Sequence, residues 1–111
     1  MVGVGDNAYA SADCWINRFN PIKSKFLGSA YGNHEYEESG GIAPYKTFFA
    51  DSLTYYTFKY QNIFFMIIDS NINMDVGSAQ HNAIKADLEA SQTDNTITWR
   101  IGILHHPMFG A

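Results

Sequence analysis

The stretch Phe26-Leu27-Gly28-Ser29-Ala30-Tyr31-Gly32-Asn33-His34-Glu35 decides how the rest of the chain reads. Phe26 to Tyr31 is a short run of apolar and small residues, the pattern of a buried strand. It empties into a polar cluster, Gly32-Asn33-His34-Glu35. The same succession occurs twice more. Met1 to Gly5 ends at Asp6, in the cluster Gly5-Asp6-Asn7-Ala8-Tyr9, and Thr96 to Leu104, carrying Ile97, Trp99, Ile101 and Ile103, runs into His105-His106-Pro107. Polar residues at the carboxyl ends of buried strands are where α/β proteins place their sites. The expectation is that all three clusters lie on one rim of one sheet.

The intervening segments read as an α/β domain. Asp13 to Phe26 spaces Trp15, Ile16, Phe19, Ile22 and Phe26 mostly at helical intervals, which predicts a helix over 13–19 capped by Asp13 and a second turn over 21–26, broken at Pro21. Its aromatics are expected in the core. Glu35 to Phe49 holds Gly40-Gly41 and Pro44 without a clean period and reads as a long surface loop. Thr54 to Tyr60 is β-branched and aromatic, Gln61-Asn62 is turn chemistry, and Ile63 to Ile68 is continuously apolar, so a hairpin is predicted. Gly77 to Ser91 is the clearest helix, capped by Ser78, with an apolar stripe of Ala79, Ala83, Ile84, Ala86 and Leu88.

The chain has 111 residues, enough for one domain with a single modest core. Hydrophobic residues make up 46% and charged residues 16%, which excludes a disordered chain. The formal net charge is -4 with Lys and Arg scattered singly, so nucleic acid and anionic membranes are not bound by bulk charge. The lone Cys14 permits no internal disulfide. The first residues carry no basic and apolar leader pattern, and the longest apolar run, Ile63 to Ile68, is far too short to span a bilayer. The chain reads as soluble, with no membrane span; its compartment and oligomeric state are open.

Each polar cluster has two readings. Asp6 is a metal-ligand type at a strand end, and Asp-Asn after Gly is equally good turn chemistry. Asn33 is a neutral oxygen donor for a hard or borderline cation and His34 a nitrogen donor, or the pair is an exposed loop with Asn33 in a left-handed turn. Of His105 and His106 only one can face a given site, because side chains alternate along a strand. Taken together the clusters offer mixed oxygen and nitrogen donors that suit Zn, Mn or Fe. A cation so held polarises a phosphoryl oxygen and acidifies bound water.

In their order, Gly5-Asp6-Asn7-Ala8-Tyr9, Gly32-Asn33-His34-Glu35 and His105-His106-Pro107 resemble the motifs G-D-x-x-Y, G-N-H-D/E and H-x-P of the calcineurin-like metallophosphoesterase superfamily, most closely its purple acid phosphatase branch. Tyr55-Tyr56-Thr57-Phe58 and Gln80 are also similar to that branch, and the likeness covers nearly the whole chain. The resemblance implies a metallophosphoesterase-type β-sandwich flanked by helices, and hydrolysis of a phosphate-ester substrate by a metal-bound hydroxide at a dinuclear centre. It implies Asp6 as the bridging carboxylate, Tyr9 as a ligand of the first metal, Asn33 and His105 as ligands of the second, and His34 as the catalytic residue that contacts phosphate and assists the leaving group. His106 receives no ligand role and Glu35 no role at all. The family's opening D-x-G or D-x-H and closing G-H-x-H motifs are absent, so residues 1–111 are expected to form one incomplete domain of that type. The alternative is a catalytically silent chain that binds one metal or a partner.

Overall fold

The computed structural model describes residues 1–7, 9 and 11–107. It is a small mixed α/β domain in which ten elements follow in the order β1 (Val2–Val4), α1 (Ala12–Phe19), a 3-10 turn (Asn20–Lys25), β2 (Gly28–Ala30), α2 (Asn33–Glu37), α3 (Ala43–Phe49), β3 (Tyr56–Tyr60), β4 (Ile63–Ile67), α4 (Ala79–Ser91) and β5 (Trp99–Ile103). The strands form two sheets. β1 and β2 pair in parallel, with Gly3 opposite Ser29. β3 and β4 form the predicted antiparallel hairpin, and β5 joins β4 in parallel, with Phe65 opposite Ile101.

The three polar clusters therefore do not share one sheet, a correction to the sequence reading. β1 and β2 deliver two of them and β5 of the other sheet delivers the third. The ladder does not continue beyond β2 at Ser29, because a side chain takes that place. The Tyr56 hydroxyl accepts from Ser29 N at 3.1 Å and donates to Ser29 O at 3.4 Å, so a phenol satisfies backbone groups that a neighbouring strand would otherwise meet.

The core forms around Trp15. Its ring lies 4.8 Å from Phe48, 5.1 Å from Phe19 and 5.6 Å from both Tyr45 and Phe49. Ala12, Trp15, Tyr31, Tyr45 and Phe48 are buried together there, aromatic packing of the kind that adds to simple area burial. Ile22, which shares the spacing of Trp15 and Phe19 in the sequence, is exposed. The helix starts at Ala12 rather than at an Asp13 cap: the Ser11 hydroxyl accepts from Cys14 N at 3.2 Å and Asp13 sits in the first turn.

The segment 35–49 is not a loop. It holds the end of α2 and all of α3, and Tyr45 and Phe48 carry α3 into the core. Pro44 lies in the first turn of α3, where a missing N–H costs nothing. In α4 the cap at Ser78 is as predicted, but Ala79, Ala83 and Ala86 are exposed. The inward line is Gln80, Ile84, Leu88 and Ser91, of which Gln80 and Ser91 are fully covered.

The helix α4 covers one face of the three-stranded sheet: Thr57 is tied to Asp87 of the helix at 2.7 Å, and Lys59 to Asp94 in the loop that follows it at 2.7 Å. The opposite face carries Tyr56, Phe58 and Tyr60 from β3, Ile63, Phe65 and Ile67 from β4, and Trp99, Ile101 and Ile103 from β5. Its Tyr56 end meets β2, while Tyr60, Trp99 and Ile101 at the other end are exposed. Among the described residues no helix is long and apolar enough to cross a membrane.

Candidate functional site

The carboxyl ends of β1, β2 and β5 meet at Asp6. The chain leaves β1 through Gly5 at φ 91° and Asp6 at φ 50°, a left-handed pair that turns the Asp6 carboxylate toward the other two strand ends. Asp tolerates that conformation better than most residues. The close approach explains both neighbouring glycines. A Cβ on Gly5 would lie 2.8 Å from His105 Nδ1 and 2.6 Å from Gly32 N, and a Cβ on Gly32 would lie 2.6 Å from Asp6 N and overlap Asp6 Oδ1.

Asp6 Oδ1 accepts from His34 N at 3.1 Å. Asp6 Oδ2 faces three groups: His105 Nε2 at 3.4 Å, the Tyr9 hydroxyl at 3.4 Å and His34 Nε2 at 3.9 Å. The ring of His34 lies on that of Tyr9, with centroids 4.4 Å apart. The charge on Asp6 pushes the Tyr9 phenol up from its ordinary value. Tyr9 is therefore a neutral hydroxyl here, and a phenolate would require a cation beside it.

His105 is oriented from behind. Its Nδ1 lies 3.0 Å from the Val4 carbonyl, which can only accept, so Nδ1 carries hydrogen and Nε2 is the atom turned to Asp6. A backbone carbonyl holding the far nitrogen in this way is the usual support of a ligating histidine. His106 faces elsewhere, with Nδ1 2.9 Å from Ser70 Oγ, which also accepts from His106 N at 3.0 Å.

Asn33 stands apart from this group. It opens α2, and its Nδ2 donates to Glu37 Oε1 at 3.3 Å along the same helix, leaving Oδ1 as the atom it can offer to a cation. Asp6, Tyr9, His34 and His105 are thus gathered round one carboxylate oxygen, and the Asn33 side chain is engaged separately.

The residue that the sequence reading left without a role is the hub of the site. Glu35 is fully buried. Its Oε2 accepts from Asp6 N at 2.9 Å and Gly32 N at 2.7 Å, and its Oε1 accepts from Asn7 N at 2.6 Å and Asn7 Nδ2 at 3.1 Å. One carboxylate thereby ties the loop after β1 to the loop after β2 and satisfies three backbone donors, that of Gly32 buried and those of Asp6 and Asn7 partly so. Its only sequence signal is a Glu three residues into a helix start, the spacing that lets a side chain reach back to the N-cap N–H.

The donors at Asp6 fit one cation of the kind the resemblance implies. With bonds of roughly 2.0–2.1 Å, two ligands of a tetrahedral centre sit about 3.4 Å apart, which matches the Asp6 Oδ2 to His105 Nε2 separation of 3.4 Å. This pair fits one cation. A second cation needs more donors than the pair supplies, and among the described residues no group of three or more His, Cys, Asp and Glu side chains is arranged to hold a metal. No protein-family model matches this chain, and no curated protein matches it.

Proposed function

We propose that this chain is a metal-dependent phosphoesterase domain of the calcineurin-like type, resembling the purple acid phosphatases, that acts on a phosphate-ester substrate. The observation that carries the reading is the pairing of Asp6 Oδ2 with His105 Nε2 at 3.4 Å while the Val4 carbonyl holds the other nitrogen. A carboxylate and an oriented imidazole at that spacing are a ligand pair, and Zn, Mn or Fe suits them. Tyr9 and the Asn33 Oδ1 are the flanking donors for a dinuclear centre.

When bound, the metal polarises the phosphoryl oxygen and lowers the pKa of its water. The chain's own part follows from position. Asp6 and His105 fix the cation, and Glu35 fixes Asp6 through two loops. His34 lies beside Asp6 Oδ2 with its ring on Tyr9, so its Nε2 is the group available to donate a proton to the leaving oxygen. The sandwich fold belongs to the same proposal. It is supported by the nine-residue apolar face of the β3–β4–β5 sheet, whose uncovered end is suited to a second layer.

A second reading is a chain that binds a cation and turns nothing over, favoured by the smallness of a one-carboxylate, one-imidazole set. The test is calorimetric titration of the chain with Mn, Zn and Fe, paired with a phosphomonoester assay, on the parent and on Asp6→Ala, His105→Ala and His34→Ala. The phosphoesterase reading expects metal binding lost in the first two, and turnover lowered roughly 100-fold or more in His34→Ala with binding kept. Binding without turnover supports the second reading. No binding by the parent chain sinks both.

A further inference from the structure

Across Tyr9 from Asp6 the surface opens into a cavity of about 330 Å³ whose walls include Asn7, Tyr9, Ser11, Trp15, Arg18 and Phe19. Asn7 and Tyr9 belong to the loop that carries Asp6, and the far wall is α1. Trp15 and Phe19 stack with centroids 5.1 Å apart, and Trp15 is only 3% exposed, so this wall is anchored in the core. Arg18 stands in the last turn of α1, exposed, and pairs with none of the described carboxylates. Ser11 accepts from Cys14 N, which leaves its hydroxyl hydrogen free to donate. Among the described residues no acidic side chain lines the cavity, although the chain has 11 acids against 7 bases. Along the helix, Ser11 and Arg18 are about 10 Å apart at 1.5 Å per residue.

We propose that this cavity is the subsite for the organic part of the ester, and that it selects a flat apolar group, such as an aryl ring, bearing a second anion. This rests on the reading of Asp6 and His105 as the phosphate end. The ring lies against Tyr9 and Phe19, the latter backed by the buried Trp15, where aromatic contacts favour it. The second anion meets the Arg18 guanidinium, whose planar fork matches a carboxylate or phosphate. Aryl esters that carry an anionic group besides the phosphate are therefore preferred over esters of small neutral alcohols.

Equilibrium binding to the full chain loaded with Mn tests this, using probes that are not hydrolysed: inorganic phosphate, benzylphosphonate and 4-carboxybenzylphosphonate. The carboxylated phosphonate is expected to bind at least fivefold more tightly than benzylphosphonate. Arg18→Gln is expected to bring that ratio to one, Arg18→Lys to restore part of it, and neither to change the affinity for inorganic phosphate. A ratio near one in the parent, or a ratio that survives in Arg18→Gln, overturns the subsite. If inorganic phosphate does not bind the loaded chain, the phosphate reading of Asp6 and His105 fails. A further titration with benzoate then decides the cavity by itself: binding lost in Arg18→Gln upholds an anion-directed aromatic cavity, and no binding or Arg18-independent binding overturns it.

Discussion

Removal of the Glu35 carboxylate is the sharpest perturbation of this architecture. Four N–H groups converge on it: the backbone of Asp6, Asn7 and Gly32 and the side-chain amide of Asn7. A hydrogen bond to a charged acceptor contributes about 1.5–3 kcal/mol net, and an orphaned buried donor costs about 1–3 kcal/mol. These do not sum over four contacts, because burying the carboxylate itself carries a desolvation penalty of several kcal/mol. In Glu35→Ala the Asn7 side chain can turn to water, while three backbone donors stay where the fold holds them. The expected loss is about 3–5 kcal/mol, at the diagnostic end of single substitutions and a large part of a stability of about 5–15 kcal/mol. Glu35→Gln keeps the volume and one acceptor but turns an NH2 toward two N–H groups, for a loss of about 2–3 kcal/mol. Urea unfolding followed by circular dichroism gives the stability, and amide exchange gives the location. Protection should fall at Asp6, Asn7 and Gly32 and persist in β4 and α4. A Glu35→Gln chain within about 0.5 kcal/mol of the parent, with those three amides unchanged, would refute the clamp.

Other outcomes follow from single features. Burial raises the Asp51 carboxyl above 3.8, partly offset by the hydrogen bond from Tyr31 at 2.6 Å. The folded state then holds that proton more tightly than the unfolded chain, so this group's stabilisation is complete below 3.8 and is lost as pH rises through the raised value. The parent-minus-Asp51→Asn stability difference should fall with pH over that window; a flat difference contradicts it. Ala50 ends α3 at φ 61°, so Ala50→Gly should stabilise by up to about 1 kcal/mol in urea unfolding, and a loss would speak against the left-handed cap. Trp99 is 62% and Ile101 38% exposed on the uncovered sheet face. The parent is expected to self-associate through that face in sedimentation, and lysine at both positions to lower the association with under about 1 kcal/mol change in stability; a monomeric parent, or association unchanged by the lysines, would contradict this.

The legible parts of this fold were those governed by local chemistry. Gln61 and Asn62 announce a hairpin and Ser78 a helix start because turn and cap preferences act within a few residues. Gly40, Gly41 and Pro44 misled for the same reason: they punctuate a connection, yet Pro44 opens α3 and the spacing of Tyr45 and Phe48 was the stronger signal. Hydropathy put alanines on the inner line of α4. The position went instead to Gln80, whose amide accepts from Asp69 N at 2.7 Å and donates to Asp69 O at 3.0 Å, completing backbone groups that an apolar side chain would leave unmet. The polar clusters at the strand ends stood out, and Asp6, Tyr9, His34 and His105 do come together. For Glu35 the spacing to Gly32 shows only a helix cap, because its other partners lie 28 and 29 residues away, and the orientation of His105 depends on a carbonyl from the first strand.

That last contact has a kinetic corollary. Val4 and His105 are 101 residues apart in sequence, and ring closure of that length has an entropic cost that grows only logarithmically but demands that almost all the intervening chain be in place. The β3 to β5 region is contiguous in sequence, whereas the Asp6–His105 contact cannot exist on a nascent chain until His105 has been added. A probe placed at that junction, such as a fluorophore quenched by proximity, would report the arrival of the finished topology and stay silent for every shorter intermediate.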